Sequence, residues 1–292
     1  MYIDVRIGNT ILDMNIIHLP DHFNSEIKLP FYLVDYQTSE ESLKQMVSLK
    51  LNTFSFLQEG YKEVFSDRNT ITIENSNFLL MKSGHCLMTE KLANTFDSYR
   101  SILFFFSNES LVHFIQKHKI PTPKTINTSS IHSFEYDTFL QTFVSSLIHI
   151  NTLNPKIQLQ LLSAKFEELM LYLKETRGND FIFSLMNTID SKQQHFIEIV
   201  ESNKLNKLTL KELSFLSNMS ISSFKREFTK HFNSSPSKWF QEKRLEQAAL
   251  LLKDTANRPS DIFEEIGYES LSNFIQAFKT KFGVTPKQYQ IN

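Results

Sequence analysis

At 292 residues the chain is long enough for two domains that each bury a core. Its composition, 41% hydrophobic against 22% charged, is that of a soluble globular protein, and the longest apolar run, "ILFFF" from Ile102 to Phe106, is strand-sized rather than the ~20 residues of a membrane helix. The net charge of -1 hides an asymmetry, because residues 204–290 hold 14 Lys and Arg against 9 Asp and Glu while the other residues hold 17 against 23. A basic C-terminal segment is what phosphate neutralisation asks for. The single cysteine, Cys86, excludes an internal disulfide and a multi-cysteine zinc cage. Asp4 and Arg6 stand where a secretory signal needs an apolar core, so a cytoplasmic protein is expected.

Residues 28 to 120 read as strands. "KLPFYLVDY", "NTFSFLQEGYKEVF", "NTITIENSNFLLMKSG" and "SYRSILFFFSN" are rich in β-branched and aromatic residues and are broken by turn signals such as Glu59-Gly60 and Ser83-Gly84. Short strands at regular spacing predict a sandwich or barrel. "SLVHFIQKHK" then predicts a short helix. From Phe139 the period becomes helical, and "LLSAKFEELMLYLKE" sets Leu162, Phe166, Leu169, Met170 and Leu173 on one side. The stripe of Leu162, Phe166, Leu169 and Leu173 is assigned to dimerisation; packing on the chain's own barrel gives the same pattern, and the sequence does not separate the two. "TRGND", from Thr176 to Asp180, reads as a hinge.

Near the end the chain repeats itself. "SSFKREFTKHFNSSPSKWF" from Ser222 and "SNFIQAFKTKFGVTPKQYQ" from Ser272 align without a gap: Ser220 with Ser270, Phe224 with Phe274, Phe228 with Phe278, Phe232 with Phe282, Pro236 with Pro286 and Trp239 with Tyr289. Phenylalanines four apart make one buried stripe on a helix and turn the residues between them outward. Each copy follows another helix pattern, "TLKELSFLSN" or "SDIFEEIGYES". Thr209 with Glu212 reads as a capping box, and Ser260 or Asp261 is the expected cap of the counterpart. The turns "SNMS" and "GYES" end on serines placed to cap the next helix. Each unit is thus a helix-turn-helix, whose second helix enters a DNA major groove. "PSKWFQEKRLEQAALLLK" between the copies predicts a linker helix with Trp239, Leu245, Ala248, Ala249 and Leu252 on its apolar face. Its eighteen positions span roughly 27 Å, a length suited to two reading helices about one DNA turn apart.

The string "LSNMSISSFKREFTKHFNSSPSKWFQEKRLEQAALLL" followed by "IGYESLSNFIQAFKTKFGVTPKQY" resembles the AraC/XylS family of bacterial transcription regulators. The likeness covers about the last hundred residues, and Phe263 departs from it, standing where the family usually has alanine. What the resemblance implies is an α+β fold: an N-terminal cupin-like β-barrel with helices that dimerise, then an all-α domain of two helix-turn-helix units joined by a linker helix. The stretch from Gln158 to Lys174 bears a weaker resemblance to the subgroup that activates type III secretion operons. The organisation expected is residues 1–175 as sensor and dimerisation domain, with helices from about 139, a linker over 176–190, and a DNA-binding domain over 191–292.

Facing then selects the readers. Ser222, Lys225, Arg226 and Thr229 lie outward on the first reading helix and Ser272, Ile275 and Gln276 on the second. Arg226 suits guanine O6 and N7, Gln276 adenine, and Ile275 a thymine methyl; phosphate or solvent contact by Lys225 and Arg226 is the competing reading. Ser220, Lys230, Ser270 and Lys279 are assigned to phosphates. Expected partners are double-stranded DNA, RNA polymerase, a small-molecule or protein effector and a second copy of the chain, with no membrane. No metal or cofactor is expected. A catalytic cupin needs clustered ligands such as a His-x-His pair, whereas His18, His22, His85, His113 and His118 are scattered. Cys86 reads as a structural thiol rather than a sensor. With no Gly-rich phosphate loop and no nucleophile elbow, a non-enzyme is expected. The rival reading is a cupin-type enzyme or sugar-binding protein whose C-terminal helices merely pack.

Overall fold

The computed structural model describes residues 16–23, 29–66, 69–93, 98–123, 129–150, 152–186, 192–254 and 257–291. The chain divides into two units, Met1–Ser191 and Lys192–Asn292.

The described strands of the front unit are β1 (Ile17–Leu19), β2 (Phe31–Thr38), β3 (Ser42–Leu49), β4 (Asn52–Glu59), β5 (Tyr61–Phe65), β6 (Thr70–Ile73), β7 (Asn77–Met81), β8 (Gly84–Lys91), β9 (Tyr99–Phe106) and β10 (Ile131–Glu135). Its helices are α1 (Asn108–Lys117), α2 (Thr138–Ile150), α3 (Pro155–Arg177) and α4 (Asn179–Ser184). The strands pair into two sheets in the orders β1-β3-β8-β5-β6 and β10-β7-β4-β9-β2, antiparallel except between β1 and β3. Gly60 makes the sharp turn from β4 to β5: at φ 96° a Cβ there would lie 2.5 Å from the Lys91 carbonyl oxygen, so only glycine fits.

Successive side chains of a strand point to opposite faces. Phe54 and Phe56 of β4, Phe78 and Leu80 of β7, and Phe104 and Phe106 of β9 therefore leave the second sheet on one side, where they pack with α1, α2 and α3. Leu79, Leu103 and Phe105 leave on the other side and meet Val47, Val64 and Met88 of the first sheet. The unit is three layers, sheet on sheet on helices, and its central sheet is covered on both faces. That double burial is why "ILFFF" is apolar without alternation.

Two expectations are corrected here. The stripe assigned to dimerisation, Leu162, Phe166, Leu169 and Leu173, is buried in the chain's own core. The phenylalanine face of the central sheet needs a cover and α3 supplies it, with the Phe166 ring 5.0 Å from Phe106 and 5.3 Å from Phe31. The first part of the expected linker is also structured. α3 runs to Arg177, Gly178 breaks it at φ 84°, and α4 returns Ile182 to the same core with Leu185 just beyond it. Lys82 Nζ donates to the carbonyls of Ser184 at 2.9 Å and Met186 at 3.1 Å, which ties down the end of that segment.

The rear unit is helical: α5 (Lys192–Ser202), α6 (Leu210–Leu216), α7 (Ile221–Phe232), α8 (Pro236–Leu251), α9 (Pro259–Ile262), α10 (Leu271–Phe282) and α11 (Pro286–Ile291). The capping box at Thr209 forms as expected, with Glu212 N donating to Thr209 Oγ1 at 3.2 Å and Thr209 N donating to the Glu212 carboxylate at 2.6 Å. The expected cap of its counterpart does not form. Arg258 is the N-cap of α9, without a side-chain bond, because Pro259 starts that helix one residue before Ser260.

Two cores hold the unit. Phe196, Val200, Leu213, Phe224, Phe228 and Trp239 make one; Leu245, Ala248, Leu252, Ile262, Phe274 and Phe278 belong to the other, with Phe263 packed half-buried against it. α8 has 16 residues and spans about 24 Å. Its Trp239 end belongs to the first core and its Leu245–Leu252 end to the second, so one rigid helix is a wall of both.

Candidate nucleic-acid interface

The sequence repeat is a repeat of geometry. Phe228 meets Phe232 at 4.6 Å and stands edge-on to Trp239 at 5.6 Å and 79°. Phe278 meets Phe282 at 4.5 Å and stands edge-on to Tyr289 at 5.4 Å and 79°. The same ring cluster seats α7 and α10 on their frames. Each helix begins on a serine cap, Ser220 accepting from Ser223 N at 3.2 Å and Ser270 from Asn273 N at 3.3 Å. Each ends on a left-handed residue, Asn233 at φ 49° and Gly283 at φ 79°.

With the phenylalanines inward, Ser222, Lys225, Arg226 and Thr229 are exposed on α7. Ser272 and Gln276 are exposed on α10, and Ile275 is half-buried, which limits it to a methyl edge. Among the described residues Lys225 and Arg226 make no ion pair, so both cations are available to a partner. The Thr229 hydroxyl donates to the Lys225 carbonyl at 3.0 Å, which leaves it only as an acceptor. Lys230 is exposed 3.5 Å from Glu227, and Lys279 is exposed in the last turn of α10.

Ser220, assigned to a phosphate, is held by its cap, and its hydroxyl donates to Ser223 Oγ at 3.0 Å in the free chain. Ser270 accepts from Asn273 N and keeps its proton to give. Asn273 and Thr280 are exposed beside Gln276 and, with Lys238 of α8, line a cleft made by two helices, an arrangement that the facing of a single helix does not reveal.

Elsewhere, no group of three or more His, Cys, Asp or Glu among the described residues is placed to hold a metal. Cys86 is buried, with Sγ 3.9 Å from the Val47 carbonyl. Burial, and next the neighbouring His18, push His85 below its ordinary value. His118 contacts the Glu167 carboxylate, which also takes Lys117 at 2.9 Å. No helix is long and apolar enough to cross a membrane among the described residues.

Two family models match the chain: an ExsA N-terminal regulatory domain over residues 52–185 and a helix-turn-helix domain over residues 214–291, the latter running from within α6 to the end of α11. The virulence regulon transcriptional activator VirF of Yersinia enterocolitica is 29% identical over 138 residues, 47% of this chain and 50% of that protein. The HTH-type transcriptional regulator ExsA of Pseudomonas aeruginosa is 27% identical over 125 residues, 42% of this chain and 45% of that protein. The chain spans about half the length of these curated relatives. A solved structure of apo ToxT from Vibrio cholerae covers 91% of this chain and 98% of its own, with a TM-score of 0.41 at 14% identity.

Proposed function

We propose that this chain belongs to the AraC/XylS family of transcription regulators, a reading supported by the two matching family models and by the likeness to VirF and ExsA, and that it is a sequence-specific DNA-binding activator working in the cytoplasm. The observation that carries the reading is the pair of reading helices on equivalent aromatic frames, one presenting Lys225 and Arg226 and the other Ser272 and Gln276. Two such helices joined by a helix of about 24 Å suit successive major-groove segments on one face of a duplex. Ser222, Thr229 and Ile275 complete the base-facing set; Lys230, Ser270 and Lys279 touch phosphates.

The front unit supplies regulation. A small-molecule or protein effector shifts its conformational equilibrium, and DNA binding or recruitment of RNA polymerase responds. A homodimer forms on the outer side of α3, where Ile157, Leu161 and Leu171 are exposed at heptad-like spacing with Ala164 between them. The enzyme or sugar-binding alternative gains nothing from the rear unit, whose outward polar faces would be idle there. Selection of bound sequences from random DNA by the full chain tests the reading: a two-part motif is expected, and binding without sequence preference sinks it.

A further inference from the structure

We propose that the cleft between α8 and α10 seats one phosphodiester of the DNA read by α10, with the Arg244 guanidinium as its cation. The inference rests on the reading of Gln276 as a DNA-facing residue. The cleft has a volume of about 770 Å³, and its walls include Lys238, Gln241 and Arg244 of α8, Tyr268 of the turn before α10, and Gln276.

Arg244 is out of balance with its surroundings. Its Nε is closed off from water without a hydrogen-bond partner, and so is the hydroxyl of Tyr268. The cleft's other cations have carboxylates, Lys238 with Glu242 at 4.0 Å and Lys281 with Glu246 at 2.9 Å. Among the described residues none lies within ion-pair distance of Arg244. Glu269 lines the same cleft but is exposed. A half-buried cation with orphaned polar groups beside it is unfavourable in the free protein; an anion with several acceptor oxygens relieves it once a shift of the two side chains on binding brings the covered Nε and hydroxyl within its reach.

The turn is shaped around this side chain. Gly267 has φ 88°, and a Cβ there would lie 3.3 Å from Arg244 Nη1 and 3.5 Å from its Cδ. A duplex that takes α10 into its major groove carries a backbone past the flank of that helix, and phosphate oxygens are the commonest acceptors in such interfaces. The guanidinium fork matches a phosphate bidentately.

The test uses the full chain with a DNA site selected from random sequence. Arg244→Gln is expected to lower the slope of log affinity against log salt by about 1 and to weaken all sequences alike, with base preferences intact. Tyr268→Phe is expected to weaken DNA binding several-fold while the thermal midpoint of the free chain stays the same or rises. An unchanged salt slope in a folded Arg244→Gln chain overturns the seat. If that variant does not fold, undiminished binding by Tyr268→Phe overturns it instead. When Gln276→Ala changes base preference and these two variants bind as the wild type does, the seat alone fails; a wild type without preference takes the regulator reading down with it.

Discussion

Lys62 Nζ lies 3.0 Å from Glu90 Oε1, a directly opposed pair across β5 and β8 whose side chains are 2% and 10% exposed. The same ammonium donates to the Tyr99 hydroxyl at 3.1 Å. Burial first, and then the charge of Glu90, push the ionisation of Tyr99 and of Tyr36 well above the ordinary phenol value, so both remain neutral. A charge this deep is tolerable only while paired. Lys62→Met is expected to destabilise the front unit by about 3–5 kcal/mol, because it strands the Glu90 carboxylate, and the double change Lys62→Met with Glu90→Leu is expected to recover most of that loss. Urea denaturation of the single and double variants measures both; a single variant as stable as wild type contradicts the account.

His132 gives the front unit an acid limit. Its Nε2 is buried without a partner, its ring stands edge-on to Phe181 at 5.1 Å, and burial, followed by the Lys82 ammonium, pushes its pKa down to about 4. Above the unfolded value of about 6.5 the ring is neutral in both states and nothing is lost. As pH falls from there toward 4 the unfolded chain takes up a proton that the folded chain refuses, so stability drops, by about 2 kcal/mol at pH 5. His132→Leu removes the window. Denaturation midpoints at pH 7 and pH 5 are expected to separate the wild type from this variant by that amount, and equal pH dependence in the two rules it out.

The rear unit was legible because each of its rules acts locally: a phenylalanine every fourth residue, a serine before each reading helix, Thr209 with Glu212. The front unit was legible only where strands carry β-branched and aromatic residues. "SLKQMVSL" in β3 and "GHCLMTEK" in β8 are strands by virtue of their neighbours, since their composition suits a helix as well as a sheet. The periodicity of α3 marked the stripe that is buried, but not whether this chain or a second copy covers it. Both sides carry apolar residues, and the choice belongs to the phenylalanine face of a sheet formed by strands some thirty to one hundred and thirty residues earlier.

That choice makes the two stripes of α3 separable by experiment. Leu169→Glu places a charge at a position without solvent exposure and is expected to unfold the front unit. Leu161→Glu with Leu171→Glu changes exposed positions and is expected to leave a folded chain that sediments as a monomer at concentrations where the wild type is a dimer. A wild type that is monomeric throughout removes the dimer proposal.

The two aromatic frames predict equal structural costs. Phe228 and Phe278 are both fully buried, each against three or more neighbouring rings. Replacing either with alanine is expected to cost about 3–5 kcal/mol, the range for a deleted core ring. Because α8 is a wall of both cores, loss of one is expected to lower the melting of the other as well. Hydrogen exchange resolved by residue checks this, and unaltered protection in the distant core means that the two units melt independently.

The reading residues carry the last prediction. Arg226→Ala and Gln276→Ala are expected to relax base preference at two parts of the selected site lying about ten base pairs apart, each costing about 1–3 kcal/mol against the cognate sequence. The two losses are not expected to be equal. α7 presents Lys225 beside Arg226, both exposed and without ion pairs among the described residues, so it brings charge together with hydrogen bonds. α10 presents the neutral Gln276 next to a half-buried Ile275 and depends on weaker contacts. Arg226→Ala is therefore the more damaging of the two. Base-substitution profiles for both variants decide the assignment: if Arg226→Ala weakens every sequence alike and lowers the salt slope by about 1, its guanidinium holds a phosphate, and the base contacts of α7 fall to Ser222 and Lys225.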